Sequence, residues 1–306
     1  MVINQKITDR YAVYHADCIE VARQIPSDSI HYSVSSIPFA SLYTYSNSER
    51  DLGNCRSYDE FVEHFSFMVK EWHRITMPGR LVSIHCMNLP TSKQHHGYIG
   101  IQDFRGDIIR MFQNAGFVYH SEVCIWKDPV IAMQRTKALG LLHKQIKKDS
   151  AMSRQGIPDY LVTFRKLGDN PEPISHTNET FPVSIWQRYA YPVWVTAGEI
   201  EDDGFCKLTM DINPSNTLQK TSAREERDER HICPLQLQVI ERGINLWSNP
   251  GDTIYDPFGG IGSTGYVALK TGRNALMTEL KESYFKQMAL NMEAALQQTG
   301  MASLFD

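Results

Sequence analysis

The chain has 306 residues, 42% of them apolar and 22% charged, enough for one large domain or two small ones with a full core. Its net charge of −4 does not exclude a nucleic-acid partner, which needs only one basic face. No apolar run approaches the ~20 residues of a membrane-spanning helix, and the opening MVINQKITDR has no signal-peptide core. Six scattered cysteines without a Cys-x-x-Cys pair point to reduced thiols in a cytoplasmic protein. His231-x-Cys233 has no partner pair, so no metal is expected.

YAVYH (11–15) reads as a strand, and DCIEVARQ (17–24) as a short helix that stops before Pro26. HYSVSS (31–36) is the next strand. SYDEFVEHFSFMVKEWHRI (57–75) opens with a capping box, Ser57 to Glu60. It sets Phe61, Phe65, Met68, Trp72 and Ile75 on one helical face. MPGR (77–80) breaks that helix, and LVSIHCM (81–87) is a strand. DFRGDIIRMFQNAG (103–116) reads as a helix ending at Gly116, and FVYHSEVCIW (117–126) as a strand. From Lys127 to Lys166 nine Lys and Arg face three acids, a charge of +6 that leaves −10 elsewhere. Arg135, Lys137, Lys144, Lys147, Lys148 and Arg154 are the candidate phosphate contacts there. Residues 167–230 show little periodicity and read as loops, an insertion or a small subdomain. The pattern then resumes: helix CPLQLQVIERGINLW, strand DTIYDP, a glycine loop, helix TGYVALKTG, strand RNALMTEL and a last helix from Ser283. This alternation predicts an α/β layer fold with a mostly parallel sheet.

The glycine loop YDPFGGIGSTG (255–265) follows a strand and opens a helix. Gly260, Gly262 and Gly265 satisfy G-x-G-x-x-G, and Glu279 ends the next strand. That pattern serves any adenosine cofactor: glycines let the backbone approach it, and the acid accepts its ribose hydroxyls. Asp256 puts a carboxylate where a diphosphate would sit, which disfavours NAD and suits a cationic sulfonium with an amino-acid tail. An NAD-dependent oxidoreductase stays as an alternative.

Together, SIPF (36–39) and DPFGGIGSTG resemble the amino-methylating DNA methyltransferases, in the permuted order of their β group, over residues 11–126 and 231–298. The resemblance implies the Rossmann-like fold of methyltransferases that use S-adenosylmethionine (AdoMet). It divides the chain into a catalytic half (1–126), a basic DNA-contacting and target-recognition region (127–230), an AdoMet half (231–298) and a tail (299–306). It implies that Ser36, the Ile37 carbonyl, Pro38 and Phe39 hold a target base flipped from double-stranded DNA. It assigns Asp17, His231, Asp256, Pro257, Phe258, Gly260, Gly262, Thr264 and Glu279 to AdoMet, with a helix N-cap as the equal reading of Asp17. Ile37 stands where the family has a proline, so an inactive DNA-binding relative is a further alternative. No cysteine follows a proline, which argues against C5-cytosine chemistry. Ser36 leans toward cytosine N4 over adenine N6. A homodimer is open, and the tail MASLF (Met301–Phe305) resembles the bacterial sliding-clamp-binding peptide.

Overall fold

The computed structural model describes residues 2–40, 51–127, 142–195, 212–213, 215–219 and 235–302. In chain order come β1 (Asn4–Ile7), β2 (Tyr11–His15), α1 (Cys18–Ala22), β3 (Ile30–Ser36), α2 (Tyr58–Ile75), β4 (Thr76–Met87), β5 (Leu89–Pro90), α3 (Lys93–His96), β6 (Ile101–Gln102) and α4 (Phe104–Asn114). Then follow β7 (Phe117–Trp126), α5 (His143–Lys148), β8 (Asp159–Lys166), α6 (Val183–Tyr189), β9 (Val193–Val195), α7 (Leu237–Trp247), β10 (Thr253–Asp256), α8 (Ser263–Lys270), β11 (Asn274–Glu279) and α9 (Glu282–Ala302).

Local chemistry starts the elements where the sequence signals them. The Ser57 hydroxyl accepts the Glu60 N–H at 3.1 Å, and Glu60 accepts the Arg56 N–H at 2.5 Å. Two unpaired donors at the start of α2 are thus satisfied. Phe61, Phe65, Met68, Trp72 and Ile75 are all buried, and burial of an apolar side chain contributes about 1.5–3 kcal/mol. The helix stops at Ile75, as expected before MPGR; the difference is that residues 77–80 already belong to β4. Gly79 takes φ +73°, and the β3–β4 register jumps from Ile30↔Thr76 to Tyr32↔Leu81. Pro78 and Gly79 make a bulge inside a strand rather than a loop.

The main sheet has nine strands in the order β1-β2-β11-β10-β3-β4-β8-β7-β9. Strands β2, β11, β10, β3 and β4 run parallel. β8 is antiparallel to β4 and β7, and β9 is parallel to β7. One face packs on α1, α2 and α4 around Phe65, Trp72 and Phe104. The other packs on α7, α8 and α9 around Ile244, Val267 and Met288. This is the mostly parallel Rossmann-like layer fold that the alternation predicts. From β3 the chain crosses to β4, and from β10 it crosses the other way to β11. A crevice therefore opens at the carboxyl ends of β3 and β10, where such sheets bind ligands.

Strand β8 corrects the reading of the basic segment. Residues 159–166 sit inside the sheet, so the connection ends at 158. Lys127 pairs with Asp159, Lys166 pairs with Asp28 at 2.6 Å, and Arg165 donates to the Gly79 carbonyl at 3.3 Å. These cations hold the sheet together. Because β7 is parallel to β4 and β8 opposes it, residues 127–158 leave and rejoin the sheet at the edge where β3 ends.

The expected target-recognition region also divides. The Pro173 carbonyl accepts from Asn249 Nδ2 at 3.1 Å, and Glu172 lies 3.3 Å from His31. Both contacts are at the starts of β10 and β3, so the chain after β8 lies at the far edge around Glu172 and Pro173; beyond α6 it has returned to the near edge, where the Pro192 carbonyl accepts the Cys124 N–H at 2.8 Å. Leu218, in contrast, packs on Ile261 of the glycine loop. At the far edge His31, Glu172 and Asp252 form a cluster of metal-ligand types. His31 Nδ1 accepts the Thr253 N–H at 3.1 Å, so its Nε2 carries the hydrogen and faces the two carboxylates as a donor. Among the described residues no helix is long and apolar enough to cross a membrane.

Candidate active site

Ser36 is the last residue of β3, and Ile37, Pro38 and Phe39 leave the strand there. Ile37 is 1% exposed and belongs to the core. Its side chain anchors the loop by burial, about 1.5–3 kcal/mol, in place of the stiffness a proline would give. Pro38 is buried as well. Ala40 follows at φ +46°, a conformation that costs a non-glycine residue about 1–3 kcal/mol and marks a tightly determined loop. The Phe39 ring is half-buried and lies edge-on to His85 and Phe104, with centroids 5.9 and 6.3 Å away.

Behind the loop a polar line crosses the sheet. Ser36 Oγ and His85 Nδ1 are 2.9 Å apart, and His85 Nε2 lies 2.8 Å from Asp159 Oδ2. Lys127 pairs with the same carboxylate. Burial pushes the Asp159 carboxyl up, but Lys127 and His85 outweigh it and hold the group below the usual carboxylate range. Sequence reasoning missed all three partners. Lys127 and Asp159 fall in the basic segment, and His85 is one residue of an apolar strand.

The glycine loop lies at the end of the adjacent strand. Asp256 accepts from Ser35 Oγ at 2.7 Å, from Thr264 Oγ1 at 2.8 Å and from the Phe258 N–H at 3.0 Å. At 4% exposure it turns inward and ties β3 to the glycine loop. Burial pushes its carboxyl up to about 6. Thr264 also donates to the Val34 carbonyl at 3.2 Å. Pro257 is buried, and Phe258 stacks on Phe65 at 6.1 Å. Gly262 takes φ +93°, and a side chain there would meet Met292 and Met288 at 2.9 and 3.0 Å. It serves close packing of loop on helix. Gly260, at φ +52°, has nothing within 4 Å of the position a Cβ would take. It is the glycine that leaves open space above the loop.

Glu279 closes the arrangement. Its carboxylate accepts the N–H of Gly260 and of Lys281, both at 2.8 Å. Burial pushes it up to about 7, and Asp51 adds to the rise. Asp51, on the segment before α2, is a further neighbour the sequence did not flag. Asp17 caps α1, accepting from Ile19 and Glu20 at 2.9 and 3.1 Å. The N–H of its neighbour Ala16 donates to the Glu279 carbonyl at 3.0 Å. Donors of a ligand bound at Glu279 would stabilise its charged form, so the affinity of such a ligand would follow this titration. AdoMet affinity, measured by calorimetry, is expected to fall from pH 8 to pH 6 and to lose that slope in Glu279→Gln. The apo-protein has the opposite sign. An acid raised from 4.5 to about 7 by the fold contributes stability below the lower value, lost as pH rises through the upper one.

Lys144, Lys147 and Lys148 are exposed on α5, and Arg154 lies beyond it, its Nη1 2.9 Å from the Gln155 carbonyl. Arg135, Lys137, His231 and Ser303–Phe305 of the tail lie outside the described residues.

Residues 30–290 match the N6/N4 family of DNA methylases. The chain belongs to that family. The DNA adenine methyltransferase YhdJ of Escherichia coli (strain K12) is 21% identical over 290 residues, covering 92% of this chain and 83% of its own. The type II methyltransferase M.BglII of Bacillus subtilis is 21% identical over 277 residues, 89% of this chain and 66% of its own. PvuII DNA methyltransferase, cytosine-N4-specific, superposes with a TM-score of 0.65 at 17% identity over 98% of this chain and 95% of its own. A Thermus thermophilus protein assigned as a DNA modification methylase, solved with S-adenosyl-L-methionine, gives 0.66 at 20% over 94% and 95%. At these identities the superpositions speak for the fold. For this methylase the oxidoreductase alternative falls away.

Proposed function

We propose that the protein is a site-specific DNA methyltransferase that moves a methyl group from AdoMet to the exocyclic amino group of a flipped base, cytosine N4 before adenine N6. The observation that carries this reading is the Ser35–Asp256–Thr264 tie, which fixes the Ser36 loop one strand away from the glycine loop. AdoMet fits the second loop: Glu279 is an acceptor at its rim, and the space above Gly260 is open. Bound there, AdoMet supplies an electrophilic methyl group on a positive sulfur.

The amino nitrogen of a base is a poor nucleophile because its lone pair is delocalised into the ring. Ser36 Oγ and the Ile37 carbonyl accept its two hydrogens and turn the lone pair out of the ring plane, which is catalysis by positioning. The base is out of reach inside a duplex, so it is flipped, and Phe39 stacks on it. The preference for cytosine rests on Ser36, by its resemblance to the N4 enzymes.

The 127–158 connection supplies the DNA-contacting surface. It starts and ends at the edge that carries Ser36, and it bears the exposed lysines of α5. Replacing Lys144, Lys147 and Lys148 by alanine is expected to weaken binding to all DNA sequences and to flatten the salt dependence by up to about three phosphate contacts. A salt slope equal to the native one would make these lysines a solvated face. The reading as a whole is tested by transfer of label from methyl-labelled AdoMet to unmodified bacterial DNA. The expected result is label in DNA and stabilisation of the protein by AdoMet but not by NAD; stabilisation by NAD alone would overturn it.

A further inference from the structure

We infer that His85, backed by Asp159 and Lys127, receives through Ser36 the proton that the target amino group sheds on methylation. The inference rests on the amino-methyltransferase reading of the site. Ser36 ends β3, His85 is its register partner on β4, Asp159 opens β8 and Lys127 follows β7. Four neighbouring strands therefore bring one group each to the same edge of the sheet. The side chains of His85 and Asp159 are 8% and 4% exposed, so water does not compete for their hydrogen bonds.

The order of donors and acceptors follows from the far end. Asp159, held ionised beside Lys127, can only accept. His85 Nε2 therefore carries its hydrogen and donates to Asp159, and in the neutral imidazole Nδ1 presents its lone pair to Ser36. The Ser36 hydroxyl donates to Nδ1 and keeps both lone pairs for an arriving N–H. The same order of groups activates serine in hydrolytic triads. Here the serine is an acceptor on the way to the imidazole rather than a nucleophile.

The step balances. As the nitrogen–methyl bond forms from the amino lone pair, the methyl–sulfur bond breaks and its electron pair stays on sulfur. The nitrogen is left with two hydrogens and the positive charge. It becomes neutral when one of these protons passes to Ser36 Oγ while the Ser36 hydroxyl proton passes to His85 Nδ1. The imidazolium that results donates from Nε2 to the Asp159 carboxylate. His85 does not touch the base and is a positioning residue. The charged groups facing it are Asp159 from β8 and Lys127 from the end of β7. Ser36 and the Phe39 ring, on its other sides, are neutral. Arg105 and Glu122, paired at 2.7 Å, belong to the opposite face of the sheet with Tyr160.

The test uses the full chain with saturating AdoMet and unmodified DNA in single-turnover methyl transfer. The native rate is expected to fall toward acid pH, where a protonated imidazole cannot accept. In His85→Gln the rate at pH 8 should drop about 10²-fold, the usual worth of a proton acceptor, and the acid limb should disappear. A variant that keeps the acid limb, or the native rate, would overturn the inference while leaving the methyltransferase reading intact. A second readout needs no catalysis: nitrogen NMR of the native protein should find His85 as the neutral Nε2–H tautomer, assigned by its loss in His85→Gln. The Nδ1–H tautomer would overturn the relay. Native protein that transfers no methyl group yet shows the Nε2–H form would instead count against the reaction itself.

Discussion

Ser36→Ala is expected to lower single-turnover methyl transfer about 10²-fold while AdoMet affinity stays within about twofold of native. The serine lies at the end of β3, and its hydroxyl meets His85 Nδ1 at 2.9 Å. Its removal leaves the fold's apolar contacts untouched and takes away the acceptor that, in the proposed mechanism, orients the amino group. Misplacement of a reacting group by about 1 Å is worth a loss of this size. Phe39→Ala tests the other half of the loop. Stacking of a base on an aromatic ring contributes about 1–3 kcal/mol, so methyl transfer at limiting DNA should fall about 5- to 150-fold. Ser36→Ala should melt close to the native temperature, because Ile37 and Pro38, which anchor the loop, are unchanged; Phe39→Ala gives up the ring's packing on His85 and Phe104 and should melt lower, so its rate is read well below its own melting temperature. Native rates in both would move the catalytic loop elsewhere in the chain.

Glu279→Ala is expected to weaken AdoMet binding by about 1.5–3 kcal/mol, the range for hydrogen bonds to a charged group. That is about a 10- to 150-fold rise in Kd. The carboxylate accepts two backbone N–H donors and is placed beside the open space over Gly260. The variant loses the acceptor and also leaves those two donors to water. Glu279→Gln, which keeps one acceptor oxygen, should bind more tightly than the alanine variant and lose the pH slope. Calorimetry of the three proteins at pH 8 separates the cases. Equal affinity in all three would remove Glu279 from the cofactor site.

The parts of this account that were legible in the sequence are those written in local chemistry. The capping residues Ser57 and Asp17, the apolar face of α2, and the strand–glycine loop–helix passage at 253–270 depend on neighbours a few residues apart, and the structure has them. What was not legible depends on contacts across the sheet. β8 reads as part of a charged segment because Arg165 and Lys166 flank its apolar run, yet their partners are Gly79 and Asp28 on distant elements. Pro78 and Gly79 read as a break because a bulge needs the facing strand to define it. Asp256 looks like a group for a cationic ligand. Its burial and its bonds to Ser35 and Thr264, which tie β3 to the glycine loop, appear only in the fold. The Ser36–His85–Asp159 line joins residues 49 and 74 positions apart, and no spacing rule links them.

The topology also bears on the proposed DNA-contacting surface. Lys127 after β7 and Asp159 at the start of β8 both lie at the carboxyl edge of β3, the edge that carries Ser36. The chain after β8 leaves at the other edge, where Glu172 and Pro173 meet His31 and Asn249, and it comes back to the near edge at Pro192 and β9. Low periodicity made the whole of 167–230 look alike. Strand direction, which the sequence does not print, separates its two parts.

The most direct measurement of the central claim is the identity of the product. Unmodified bacterial DNA incubated with the protein and methyl-labelled AdoMet, then digested to nucleosides, is resolved by mass spectrometry. The account predicts labelled N4-methyldeoxycytidine, sharply reduced by Ser36→Ala. Labelled N6-methyldeoxyadenosine would overturn the choice of base and keep the amino chemistry. Labelled 5-methyldeoxycytidine, or no labelled nucleoside from protein that binds both AdoMet and DNA, would contradict the account.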